Sequence, residues 1–147
     1  MESVMKTKIH GFFGMVALLC VLSFWIGTVA SEAFGNPADI ALVKLSILKG
    51  MMVLVPAMML AGASGVSMKW KGLMVEHKKR RMKIIAANGL LILLPSAFFL
   101  SNRAGQGNFD AWFYSVQIVE LLAGATNIIL LILNMKDGIT SARRRLA

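Results

Sequence analysis

The only carboxylate inside a long apolar run of this chain is Glu120, within Ala111 to Met135. An ionisable group at the middle of a bilayer costs roughly 2.5 to 3.5 kcal/mol on insertion scales, so it is expected to face a partner or a polar cavity. Gln117, Glu120, Gly124 and Asn127 follow 3, 4 and 3 spacing and share one helix face, which Asn134 continues. The cation chosen for Glu120 on sequence grounds is Lys49, in a second apolar run. Counting about 1.5 Å per residue, Glu120 and Lys49 fall roughly 4 and 7 Å to the same side of their span midpoints. Lys44 lies about 140° around the helix from Lys49 and is expected to snorkel to water. Two chemistries fit such a site. One is a polar clasp of Lys49, Glu120, Gln117 and Asn127 that specifies packing. The other is a relay in which Glu120 carries a proton or binds a cation or ligand.

The elements that must hold these groups are helical. The 147 residues are 57 % hydrophobic and 16 % charged, with a mean hydropathy of +0.70, well above ordinary soluble composition. Four runs are long enough to cross a bilayer: 10–30, 40–67, 84–101 and 111–135. Backbone in hydrocarbon must satisfy its own hydrogen bonds, and the dyad alternation of barrel strands is absent, so each run is read as a helix. The expected fold is all-α: one compact bundle of four transmembrane helices, up-down-up-down, occupying 1–147. Gly35, Asn36 and Pro37 break the chain between the first two helices, and Gly105 to Asn108 between the last two.

The net charge of +9 is not spread over a soluble face. All but three of the 16 basic residues precede the first run, fill the connection 68–83 or follow the fourth run; the exceptions are Lys44, Lys49 and Arg103. This distribution sets topology rather than nucleic-acid binding. It places both termini and the 68–83 loop in the cytoplasm, in what is expected to be a bacterial inner (plasma) membrane. The first run is read as a retained helix, because it is longer than a signal-peptide core. The basic connection is expected to form a short interfacial helix or turn. Trp70 there would sit at headgroup level, and Lys78, Lys79, Arg80 and Arg81 would dock anionic lipid or an acidic partner.

Other membrane chemistries find little support. Cys20 is the only cysteine, so no thiol pair exists for redox or metal relay. His10 and His77 are the only histidines, weak candidates for a haem near the cytoplasmic surface. No cofactor is expected beyond that, and no nucleophile–base pair or phosphate loop marks an enzyme. Ala57, Ala61 and Gly65 form a small-residue ridge suited to close helix contact. Pro56 and Pro95 should kink their helices, Asn88 could bond across the bundle, and Asp137–Gly138 reads as the stop of the fourth helix. The leading functional expectation is a non-catalytic multi-pass subunit or scaffold, associating with itself or with a larger membrane complex. The second is a small proton- or ion-coupled transporter built on Glu120 and Lys49. A third is a haem-, quinone- or lipid-associated protein of the cytoplasmic face.

Overall fold

A computed structural model describes residues 2–67 and 73–146, with side chains over 5–65 and 76–141. The described residues form five α-helices: α1 (Glu2–Phe34), α2 (Pro37–Ser67), α3 (Leu73–Asn88), α4 (Leu94–Gly105) and α5 (Ala111–Leu146). A π-helical turn, Gly89–Leu93, joins α3 to α4, making one continuous rod from 73 to 105. Four helices are therefore long and apolar enough to span a membrane, over Met5–Phe34, Pro37–Gly65, Glu76–Gly105 and Ala111–Ser141.

Local chemistry explains where the helices begin and end. Asn36 Oδ1 accepts the N–H groups of Ala38 at 2.9 Å and Asp39 at 3.1 Å, and Asp39 Oδ2 accepts the Asn36 N–H at 2.9 Å. This is a reciprocal capping box, with Pro37 preset for the first helical position. Asp110 caps α5 in the same manner, accepting the Phe113 N–H at 2.9 Å. Gly107, at φ 72°, is the positive-φ residue that ends α4. Its N–H donates to Ala104 O at 3.0 Å and the Asn108 N–H to Arg103 O at 2.9 Å, the two bonds of a Schellman stop.

The bundle closes through two apolar clusters. Ala17 and Val21 of α1 meet Ile47, Met51 and Leu54 of α2, Leu93 and Ala97 of the third rod, and Ala123 of α5. Ile40, Leu100, Ala104 and Phe113 form the second cluster, toward the two capped turns. Hydroxyls on outward faces bond their own helices: Ser46 donates to Leu42 O, Ser115 to Ala111 O and Thr126 to Leu122 O. They are satisfied locally and need no partner.

Three expectations about the elements are corrected. The helices outrun their apolar stretches, and residues 73–83 of the basic connection continue the third rod rather than forming a separate loop or turn. Trp70, with Lys69 and Lys71, lies outside the described residues. Asp137–Gly138 does not stop α5, which runs on to Leu146. Gly138 is not in the left-handed conformation a cap would use, and Asp137 Oδ2 instead accepts from Arg81 Nη1 at 2.6 Å. Before Pro95 the helix widens into the π turn, where the Leu94 N–H reaches back to Gly89 O. The proline has no N–H and its ring crowds the preceding turn, so an extra residue in that turn relieves both. Pro56 lies within the unbroken α2.

If the Asn36 box defines the α1–α2 turn, Asn36→Ala lowers stability by about 1 kcal/mol. Thermal unfolding in detergent checks this, and an unchanged midpoint would show that the cap is dispensable.

Candidate functional site

From Gln117 to Asn134 the polar face of α5 points inward. Gln117, Glu120, Asn127 and Asn134 are all buried, Asn127 completely, and Gly124 with them. Around them the structure builds two polar junctions and one cavity.

At the first junction Lys44 Nζ donates to Glu120 Oε2 at 2.5 Å and to Thr28 Oγ1 at 3.3 Å. Lys44 and Thr28 are each 1 % exposed and Glu120 8 %. Lys49, the expected partner, is exposed on the other side of α2. The reason is helical phase. The buried seam of α2 steps by four and three through Ile40, Lys44, Ile47, Met51, Leu54, Met58 and Ala61, and Lys49 falls opposite it. Comparing depths alone could not distinguish the two lysines; extending the seam back from Ala61 would have selected Lys44. Far from snorkelling to water, Lys44 is among the most deeply buried side chains of the chain. Its charge is tolerable there because a carboxylate and a hydroxyl both face it.

Trp25 holds the adjacent wall. Its Nε1 donates to Leu121 O at 3.0 Å, and it crosses α5 at Gly124, where any Cβ would lie 3.2 Å from the indole. Between Trp25, Thr28, Met51, Leu93, Glu120 and Gly124 a cavity of about 30 Å³ remains, room for one water beside the carboxylate. Gln117, one turn along α5, has a buried Oε1 with no hydrogen-bond partner, as does Glu32, one turn along α1 from Thr28.

The second junction ties the third rod to α5. Asn88 Nδ2 donates to Asn127 Oδ1 and to Ala123 O, both at 2.8 Å, and Asn127 Nδ2 donates to Ile85 O at 3.4 Å. Asn88 immediately precedes the π turn, and Gly89 leaves space against Met58 and Asn127. The structure thus joins Asn88 to Asn127 and Lys44 to Glu120, at two separate places.

Toward the basic segments the helices part around a cavity of about 690 Å³. All four rods line it. Gly11 and Gly14 come from α1, Gly62 from α2, and Ala86 from α3, with Leu131 and Asn134 from α5. A Cβ added at Gly11, Gly14 or Gly62 would meet nothing within 4 Å, so these glycines hollow out the bundle rather than draw helices together. The spacing Gly11-x-x-Gly14 was the signal for this in the sequence, although small residues alone do not distinguish a contact from a void. Ala57 and Ala61 of the expected ridge are buried within the chain, and Gly65 packs against the His10 ring.

The remaining candidates lie at the same end. His10 lines the cavity and its Nδ1–H donates to Ala61 O at 2.8 Å, whereas His77 is exposed on α3 and outside the lining. The two histidines do not face a common space. No group of three metal-ligating side chains occurs among the described residues. Lys78 is half-buried and lines the cavity with Lys79; Arg80 is exposed; Arg81 is held by Asp137. Cys20 packs beside the larger apolar cluster. No protein-family model, curated protein or solved structure matches this chain.

Glu120→Gln leaves the buried Lys44 ammonium facing a neutral amide and costs about 3 kcal/mol, while Lys44→Met with Glu120→Leu recovers most of the loss. Lys49→Leu changes stability by less than about 0.5 kcal/mol. Unfolding midpoints of the four proteins in one detergent test the pairing. A large loss for Lys49→Leu with none for Glu120→Gln would overturn it.

Proposed function

We propose that this chain is a multi-pass membrane protein that holds a membrane-soluble ligand inside its bundle. The observation that carries this reading is the cavity of about 690 Å³ lined by all four rods, within the range of about 300 to 1,000 Å³ usual for ligand pockets. Four apolar helices make the chain a candidate for membrane residence, and the surroundings of such a cavity would then be lipid. A molecule entering it between helices would exchange one apolar environment for another, so shape and polar contacts would decide what stays.

The proposed topology is up-down-up-down, with both termini and the basic connection in the cytoplasm of a bacterial inner membrane. Two features support it. Contacts between α1 and α2 run in opposite senses, Thr28 meeting Lys44 and His10 meeting Ala61. Basic residues gather at the cavity end, where Lys78 approaches Gly138 and Arg81 pairs with Asp137, the pattern of a cytoplasmic face. Ligand holding ranks above a scaffold role because Ala57 and Ala61 are buried inside the chain and offer no ridge to a partner. Ion-coupled transport is the second reading, favoured by the buried Lys44–Glu120 pair with room for a water beside it. It requires that Glu120→Gln abolish flux in liposomes.

Native mass spectrometry of the protein, extracted from its own membrane in mild detergent, tests the first reading. The expected spectrum contains the 16.0 kDa chain with a lipid-sized adduct that survives mild activation. A bare chain, or a chain found only with larger subunits and no adduct, would reject ligand holding.

A further inference from the structure

The lining of the large cavity is chemically lopsided. Lys78, Lys79 and Lys83 reach it from α3 and His10 from α1, and no aspartate or glutamate among the described residues lines it. Lys78 is the decisive residue. It is half-buried, and its Nζ lies 3.3 Å from where a Cβ of Gly138 would be, so the glycine makes room for the amine to cross to α5. Asp137, the acid whose field reaches Lys78, is already bonded to Arg81 at 2.6 Å. No ion pair found among the described residues includes Lys78. An ammonium at the mouth of a mostly apolar space, without a carboxylate of its own, favours an anion brought by the occupant.

A second observation comes from deeper inside. Asn134, one turn before Gly138 on α5, is 7 % exposed, lines the same cavity, and has a buried Oδ1 with no hydrogen-bond partner. A buried amide oxygen left unmatched is unfavourable, and a hydroxyl on an occupant would satisfy it. Past Asn134 the walls are Gly14, Ala17, Leu18, Met58 and Leu131, which offer an acyl chain only apolar contact. Along the bundle, Lys78 thus lies toward the basic end, Asn134 one turn further in, and apolar walls beyond it.

We infer that the cavity is a binding site for an anionic membrane lipid, its phosphate at Lys78 with Lys79, Lys83 and His10 around it, and one acyl chain lying between Gly11, Gly14 and Gly62. This assignment rests on the ligand-holding reading and adds the class of ligand. Phosphate is preferred because a lysine acts on it as a compact point charge needing no planar match. A neutral lipid would fill the apolar part and leave Lys78 without a counter-ion. Soluble phosphates would meet the cations and leave the deep cavity unfilled.

The test measures retention of dioleoyl phosphatidic acid and dioleoyl phosphatidylcholine by the full chain in mild detergent, using native mass spectrometry. Glycerol phosphate serves as a soluble competitor. The wild type is expected to hold phosphatidic acid about tenfold more tightly, the worth of one charge-assisted contact. Glycerol phosphate at the same concentration should not displace it. K78M should bring the two lipids close to parity and K78R should keep the preference. The double variant G14L/G62L places side chains in open space and should retain neither lipid, with its unfolding midpoint showing that it still folds. Equal retention of the two lipids by the wild type, or undiminished preference in K78M, overturns the anionic assignment and leaves ligand holding in place. Displacement by glycerol phosphate overturns the role given to the acyl chain. Retention of neither lipid above the G14L/G62L background overturns the site, and the broader ligand-holding reading falls only if the protein from its own membrane also carries no adduct.

Discussion

A buried ammonium must be answered by a carboxylate, and much of this molecule is arranged around that requirement. Lys44 and Glu120 are separated by 76 positions in sequence yet meet at 2.5 Å. Their contact sets the rotation of α2 against α5 and brings Thr28 of α1 to the same point. Unpaired, either charge would carry a desolvation cost of several kcal/mol in a low-dielectric interior. The pair adds little net stability over a well-packed apolar equivalent, but it penalises any arrangement that separates its members. Rotating α2 to present Lys49 would also break the seam from Ile40 to Ala61. Apolar phase and charge pairing thus select one arrangement.

Along its length the bundle divides into regions of different character. Near the capped turns it is tightly filled, with Leu100 and Phe113 completely buried. At mid-length the packing becomes polar and specific, through Lys44–Glu120 and then Asn88–Asn127. The π turn at 89–93 marks the transition. Pro95 cannot donate to the preceding turn, the helix widens, and Asn88 is placed where it can reach α5. Beyond this level Gly11 and Gly14 of α1 and Gly62 of α2 border open space. Close packing at one end and a void at the other follow from the same four rods, with Leu100 and Phe113 filling the first and Gly11, Gly14 and Gly62 bordering the second.

Charge follows the same division. Arg81–Asp137 ties the third rod to α5 at the cavity end, and no ion pair found among the described residues includes Lys78. Arg103–Asp110, at 3.0 Å and largely solvent-exposed, braces the opposite turn and is of the kind that contributes little. Under the proposed topology and lipid site, positive charge that sets orientation has a second role where some of it lines an apolar cavity. That second role depends on which side of a helix each lysine occupies, not on how many there are.

The sequence by itself determined the all-helical class and the four helices long and apolar enough to span a membrane, because hydropathy over about 20 residues is a one-dimensional property set by bilayer thickness. It also determined the inward face of α5, since 3 and 4 spacing is local; the Asn36 cap is just as local a signal, but counting the apolar run alone placed the start of α2 at 40 instead of Pro37. Lys49 was preferred to Lys44 because depth can be counted along one chain, whereas facing depends on the neighbour's surface. The Asp137–Gly138 stop was misread for a similar reason: a glycine ends a helix only when tertiary contacts let it turn left-handed, and here Asp137 is held in α5 by Arg81. The cavity left only an ambiguous signal in the sequence. Gly11, Gly14 and Gly62 have the composition of a close helix contact, and only the separation of four rods in space decided that they surround a volume instead.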